Sequence, residues 1–235
     1  MLCGLIPLLL AAGMLQLRML GARRREGELL RLVEAKTVEL RRANAELLQL
    51  SSIDPLTGLA NRRVFDRILS NECARLKRTG GGAVSLLVLD VDHFKALNDS
   101  KGHQQGDRYL VLLGAELTRI ARRQTDTAAR CGGEEFALIL PGTIALDAAC
   151  IAESVRSAIL ALNLPHPASP TAPILTISIG VATATRDWLN APQELVAAAD
   201  AALYAAKRNG RNRVEVAQPS GVSGEGKNAA VIELV

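Results

Sequence analysis

The sequence predicts an α+β fold, an antiparallel-rich sheet with helices on one face. Helical and strand patterns alternate along most of the 235 residues, and long apolar runs recur at strand length. In the middle, two such runs are separated only by Gly132-Gly133, a hairpin step that excludes a purely parallel, doubly wound sheet. A chain of this length holds one domain of about 150–200 residues and an appendage. Its 49% hydrophobic content suffices for a core.

Residues 1–22 are almost wholly apolar and are followed by Arg23-Arg24-Arg25. A cleaved signal peptide carries its positive charges before the apolar stretch, whereas charges after it mark a membrane anchor with a cytoplasmic C-terminal side. About 20 apolar residues are needed to cross, so Arg18 must snorkel. The alternatives are the end of a truncated membrane region and an interfacial helix. Residues 23–52 read as a signalling helix. Val33, Leu40 and Leu47 recur at heptad spacing, with Ala43 and Leu50 on the adjacent seam, which is the pattern of a parallel coiled coil. Lys36 interrupts that seam, and an ordinary amphipathic helix is the alternative.

The domain proper spans 53–216. Asp54-Pro55 and Thr57-Gly58 are turn chemistry, and Asn61 is an N-cap opening a helix to about residue 79. After Gly80-Gly81-Gly82 come a strand at 83–90, a loop, a helix at about 105–123, and the hairpin strands. A helix at 145–162, a Pro-rich loop at 165–173, a strand at 174–183, a helix at 192–208 and a short strand at 213–216 complete the domain. The tail, 217–235, is rich in Ser, Gly and Asn and reads as disordered.

Composition narrows the function. Aromatic residues make up 3%, too few for a base-stacking platform, so nucleic acid is not an expected partner. The net charge of +4 sits in short clusters, which fits a membrane-adjacent protein or one that handles polyphosphate. Cys3, Cys73, Cys131 and Cys150 are scattered without a CxxC pair, so neither a zinc site nor a disulfide framework is expected.

Two acidic clusters carry the chemistry. Asp90 and Asp92, at alternate positions of a strand end, point to one face and repel each other unless a cation or donor holds them ionised. Glu134 and Glu135 follow the glycine pair directly. Carboxylates on adjacent strands match magnesium, which uses one or two of them plus substrate phosphate oxygens. Between the clusters, a strand-to-helix turn with Lys95 offers N–H groups and charge to phosphates. Asn98 and Asp107 have the acceptors that a guanine edge requires. Lys207 and Arg211 flank a helix end, where they either compensate its dipole or clamp a terminal phosphate.

The runs DPLTGLANRR (54–63), DVDHFK (90–95), Asn98-Asp99, Gly102-His103, Gly106-Asp107, GGEEF (132–136), Ser178-Ile179-Gly180 and AKRNGRN (206–212) stand in one order. With them, residues 51–216 resemble a GGDEF domain, the catalytic module of diguanylate cyclases. The resemblance implies a nucleotidyl-cyclase-like palm that condenses two GTP into cyclic di-GMP and pyrophosphate. It implies Asp90 and Glu134 as ligands of magnesium, or alternatively manganese, with the Val91 carbonyl as a further oxygen. Glu135 is then a second ligand or the base for the ribose 3′-hydroxyl, and Glu134, Glu135 and Lys95 form the catalytic set. Asn98 and Asp107 read guanine, His93, Phe94 and Lys95 line the phosphate turn, and Lys207 and Arg211 hold the terminal phosphate. His103 is either structural support or a nucleotide contact. Arg123 and Asp126 occupy the RxxD positions of a cyclic di-GMP inhibitory site. The implied state is a homodimer, its catalytic domain cytoplasmic and tethered to the bacterial inner membrane. A catalytically silent receptor for GTP or cyclic di-GMP is the alternative.

Overall fold

The computed structural model describes residues 34, 36, 37, 52–79, 81–185 and 191–217. The expected anchor, nearly all of the signalling helix and all but the first residue of the tail lie outside them; Glu34, Lys36 and Thr37 are helical. The chain divides into two units, 1–51 and 52–235. Among the described residues no helix is long and apolar enough to cross a membrane.

In the second unit, β1 (Ala60–Asn61) leads into α1 (Arg62–Thr79), then β2 (Ala83–Val91) and two helices, α2 (Phe94–Lys101) and α3 (His103–Ile120). The hairpin strands β3 (Thr127–Gly132) and β4 (Glu135–Pro141) follow, then α4 (Ala145–Ala161), β5 (Ile177–Thr185), α5 (Pro192–Arg208) and β6 (Val214–Val216). These strands form one sheet in the order β1-β3-β4-β2-β5-β6. The four long strands pair antiparallel, and only the short edge strands β1 and β6 pair parallel. The mixed, antiparallel-rich α+β sheet is therefore as the sequence predicts.

The helices, however, cover both faces of the sheet rather than one. Leu87, Leu89 and Val91 of β2 pack with Leu110 and Leu113 of α3 and Val155 and Ile159 of α4. On the opposite face, Val84 and Leu86 pack with Leu69 and Leu76 of α1 and Leu195 and Ala199 of α5. The reason is legible in β2 itself: Leu86-Leu87-Val88-Leu89 is apolar at consecutive positions, the pattern of a strand covered on both faces.

Local signals explain most boundaries. The Asn61 side chain caps α1 by accepting from the Val64 N–H at 3.1 Å. Pro192 stands at the first position of α5, where its missing N–H costs nothing. The expected loop after β2 instead contains the eight-residue α2, pinned by the buried Phe94 and Leu97, and α3 starts directly after Gly102. The run Asn98-Asp99-Ser100 reads as turn chemistry and conceals this short helix. β5 begins at Ile177 rather than 174 because Leu175 N–H bonds back to the Leu164 carbonyl, part of the connection out of α4.

Candidate active site

β2 ends where the two acidic clusters meet. Asp90 stands between Glu135 of β4 and Ser178 of β5 in the ladder, so these three side chains leave the same face. Asp90 is largely buried, and Lys207, near the end of α5, places Nζ 2.9 Å from its Oδ1. Burial pushes the Asp90 carboxyl above the usual range; Lys207 opposes this, while the nearby Glu134 and Asp92 charges reinforce it. The Asp90 and Glu134 carboxylates thus lie close enough to repel each other, and the Lys207 ammonium offsets part of that charge. The hard oxygen donors Asp90 and Glu134 fit magnesium, which fills its remaining positions with water, backbone and phosphate oxygens. Among the described residues no three His, Cys, Asp or Glu side chains cluster tightly enough to hold an ion by themselves.

The glycine turn positions Glu134. Gly133 has φ +47°, a left-handed conformation open to glycine at little cost, and the Glu134 carbonyl accepts from Val91 N–H at 3.4 Å. Glu134 is half-buried beside β2, whereas Glu135 opens β4 as an exposed side chain. The two neighbouring glutamates thus have different environments.

Sequence patterns alone miss the arginine that braces this turn. Arg130 donates through Nε and Nη2 to the Gly133 carbonyl at 3.0 and 2.8 Å. Its Nη1 reaches both Asp54 oxygens at 3.1 and 3.2 Å. Asp54 also accepts from Thr57 N–H at 2.9 Å and Thr57 Oγ1 at 2.7 Å. Burial raises the Asp54 pKa, but these donors and Arg130 outweigh it and leave the carboxyl below its ordinary value. Asp92 is likewise structural. Fully buried, it accepts from Thr176 Oγ1 and Ser178 Oγ at 2.7 Å each and from Asn212 N–H at 3.1 Å.

Beyond Asp92 the chain turns through His93, at φ 56° and ψ 31°, into α2. The first N–H groups of a helix lack intrahelical acceptors and face whatever binds there. Lys95 is exposed on this turn, while Phe94 turns its ring into the core, leaving only its backbone for ligand contact. Asn98 lies one helical turn on. Its Oδ1 is buried without a partner, an acceptor held ready for a donor. A methyl group at Gly106 would overlap that oxygen, so glycine there keeps the cradle open. Asp107, adjacent, is exposed, as is His103 at the start of α3. Arg211, at φ 64°, lies close enough to His93 for its charge to depress the imidazole pKa, second to burial.

Arg123 and Asp126 form a separate cluster. Arg123 Nη2 lies 3.0 Å from Asp126 Oδ1 and donates to Thr143 Oγ1 at 2.5 Å. The arginine fork is thus engaged within the chain. A groove of about 500 Å³ between α4 and β6 is lined by none of these predicted site residues.

Carboxylates, a lysine and an orphaned amide oxygen thus lie at one end of an antiparallel-rich α+β sheet, a fold consistent with the nucleotidyl-cyclase palm. The chain belongs to the GGDEF family: residues 51–213 match "Diguanylate cyclase, GGDEF domain". It is 42% identical over 169 residues to diguanylate cyclase DgcP of Pseudomonas aeruginosa, covering 72% of this chain and 24% of that protein. With the probable diguanylate cyclase DgcC of Escherichia coli it shares 40% over 174 residues, 72% of this chain and 44% of the relative. The chain thus spans less than half the length of either relative. Among solved structures, it is similar to the coiled coil and GGDEF domain of DgcB from Caulobacter crescentus in complex with c-di-GMP. That match has TM-score 0.64 and 35% identity, and covers 79% of this chain and 97% of the other.

Proposed function

We propose that the chain is a diguanylate cyclase, condensing two GTP into cyclic di-GMP and pyrophosphate where two such domains face each other. The observation that supports the reading is the Asp90–Glu134 carboxylate pair with Lys207 beside it, in a chain of this family. Asp90, Glu134 and the Val91 carbonyl would hold magnesium, or manganese in its place. When bound, the metal lowers the pKa of the attacking hydroxyl and neutralises charge on the leaving pyrophosphate.

The chain's own groups do the rest. Asn98 Oδ1 and the Asp107 carboxylate accept from the guanine N–H groups. The first N–H groups of α2 and the Lys95 ammonium receive phosphate oxygens, and Lys207 and Arg211 hold the terminal phosphate. The 3′-oxygen of each GTP bonds to the α-phosphorus of the other as each bond to pyrophosphate oxygen breaks, so two phosphodiester bonds form and two pyrophosphates leave. The exposure of Glu135 beside buried Asp90 and half-buried Glu134 supports its role as acceptor of the 3′-hydroxyl proton. Each domain presents one such half-site, so the reaction takes two copies. A coiled coil over 23–52 would bring them together, and an anchor at 1–22 would raise their effective concentration. Cyclic di-GMP binding at Arg123 and Asp126 would hold the half-sites apart; such a ligand must draw the arginine fork from Thr143 and Asp126.

Incubation with magnesium and GTP, with products separated by chromatography and identified by mass, tests this reading. Cyclic di-GMP from the natural chain and none from Glu134→Ala is the expected result. Bound nucleotide without any product would replace the enzyme by a silent receptor.

A further inference from the structure

We infer that His166, in the connection from α4 to β5, is a positioning residue that sets the direction of the Phe94 N–H towards nucleotide phosphate. The inference rests on the proposed GTP-binding role of the turn before α2. His166 is fully buried, and its ring Nε2 lies 3.2 Å from the His93 carbonyl oxygen. A carbonyl only accepts, so Nε2 carries a hydrogen, and Nδ1 is buried and without a partner. The same carbonyl accepts from Leu97 N–H at 3.1 Å. Two donors on one oxygen fix the plane of the peptide between His93 and Phe94. Because that unit is rigid and trans, its N–H then points opposite to its C=O.

The His93 backbone is in the left-handed region without being glycine, a conformation that persists only where the surroundings hold it. They do so from two sides. Thr171 Oγ1 lies 3.0 Å from His93 Nε2, so the ring is gripped by the same connection that grips the carbonyl. The connection is itself fastened. His166 N–H donates to the Pro173 carbonyl at 2.8 Å, and the His166 carbonyl accepts from Ser169 N–H at 3.1 Å. Tyr109 Oη of α3 donates to the Pro165 carbonyl at 3.2 Å. The Pro-rich segment thus serves as a brace for the phosphate turn.

His166→Gln keeps an amide N–H at the reach of Nε2, and His166→Leu fills the space without a donor. Calorimetry of a non-hydrolysable GTP analogue with magnesium, and initial rates with GTP, are measured on the full chain. The leucine variant is expected to raise both the analogue Kd and the GTP KM by about tenfold or more, with kcat within about twofold, and glutamine to restore most of the loss. Unchanged Kd and KM in His166→Leu, or equal impairment in both variants, would overturn the inference. Should the leucine variant not fold, Thr171→Val, which loosens the grip on the ring, must raise Kd in the same sense; an unchanged value is equally fatal. If the natural chain binds the analogue with this His166 dependence yet forms no cyclic di-GMP, the cyclase reading fails and the positioning role stands. A natural chain that does not bind the analogue overturns both.

Discussion

At Asp90 the fold works against the charge that the site requires. Burial favours the protonated form, and Lys207 compensates only in part. The folded pKa lies above the unfolded one, so this carboxyl's contribution to stability is fully present below about pH 4 and is lost as pH rises through the folded value. Asparagine imitates the protonated state. Asp90→Asn should therefore melt higher than the natural chain at pH 7 without metal, with the gap closing as pH falls towards about 4. Magnesium with GTP should raise the melting temperature of the natural chain and leave that of the variant unmoved. A variant that melts lower at pH 7 would contradict this account of the site. Arg123 gives the second residue-level test. It lies outside the proposed reaction machinery, so Arg123→Ala should keep the uninhibited initial rate within about twofold while abolishing inhibition by added cyclic di-GMP. Inhibition curves superimposable on those of the natural chain would remove the RxxD site from the account.

Elements are positioned by contacts that no periodicity displays. Gly180 of β5 lies against the backbone of α5, where an added methyl would overlap the Ala199 carbonyl and the Leu203 main chain. Backbone cannot step aside as a side chain can, so Gly180→Ala should lift α5 from the sheet at a cost of about 1–3 kcal/mol in urea unfolding. As α5 carries Lys207, kcat/KM should fall as well. Full stability in that variant would show that the helix tolerates a different seat. The N-terminal turn is joined to the hairpin through Asp54, Arg130 and the Gly133 carbonyl. The folded Asp54 pKa is depressed, so its contribution is present above about pH 4 and is lost as pH falls through the folded value. Asp54→Asn should cost about 1–3 kcal/mol at pH 7, and the deficit should vanish in acid. A deficit independent of pH would assign the loss to packing instead of charge.

Over the whole molecule, much of the architecture was open to reading because its signals are local. The N-cap at Asn61, the proline opening α5 and the hairpin at Gly132-Gly133 each act within a few residues. The second helical layer departs from the expectation of helices on one face, and the consecutive apolar positions of β2 are where that layer can be read. α2 stayed hidden since Asn98, Asp99 and Ser100 favour turns, and tertiary burial of Phe94 and Leu97 overrides that preference. Within the site, a motif names residues one stretch at a time, whereas contacts that reach across the fold leave no signal in spacing. Asp92 meets Asn212, Arg130 meets Asp54, and His166 meets His93, each pairing distant parts of the chain. Assembly is the remaining scale. A reaction that joins two GTP from two half-sites must depend on association of chains. The most direct measurement is the initial rate of cyclic di-GMP formation from GTP and magnesium against chain concentration, with the oligomeric state followed by light scattering. The account predicts cyclic di-GMP as product, with activity per chain rising as dimer forms and reaching a plateau when dimerisation is complete. Absence of that product, or constant activity per chain while the protein is monomeric, would contradict it.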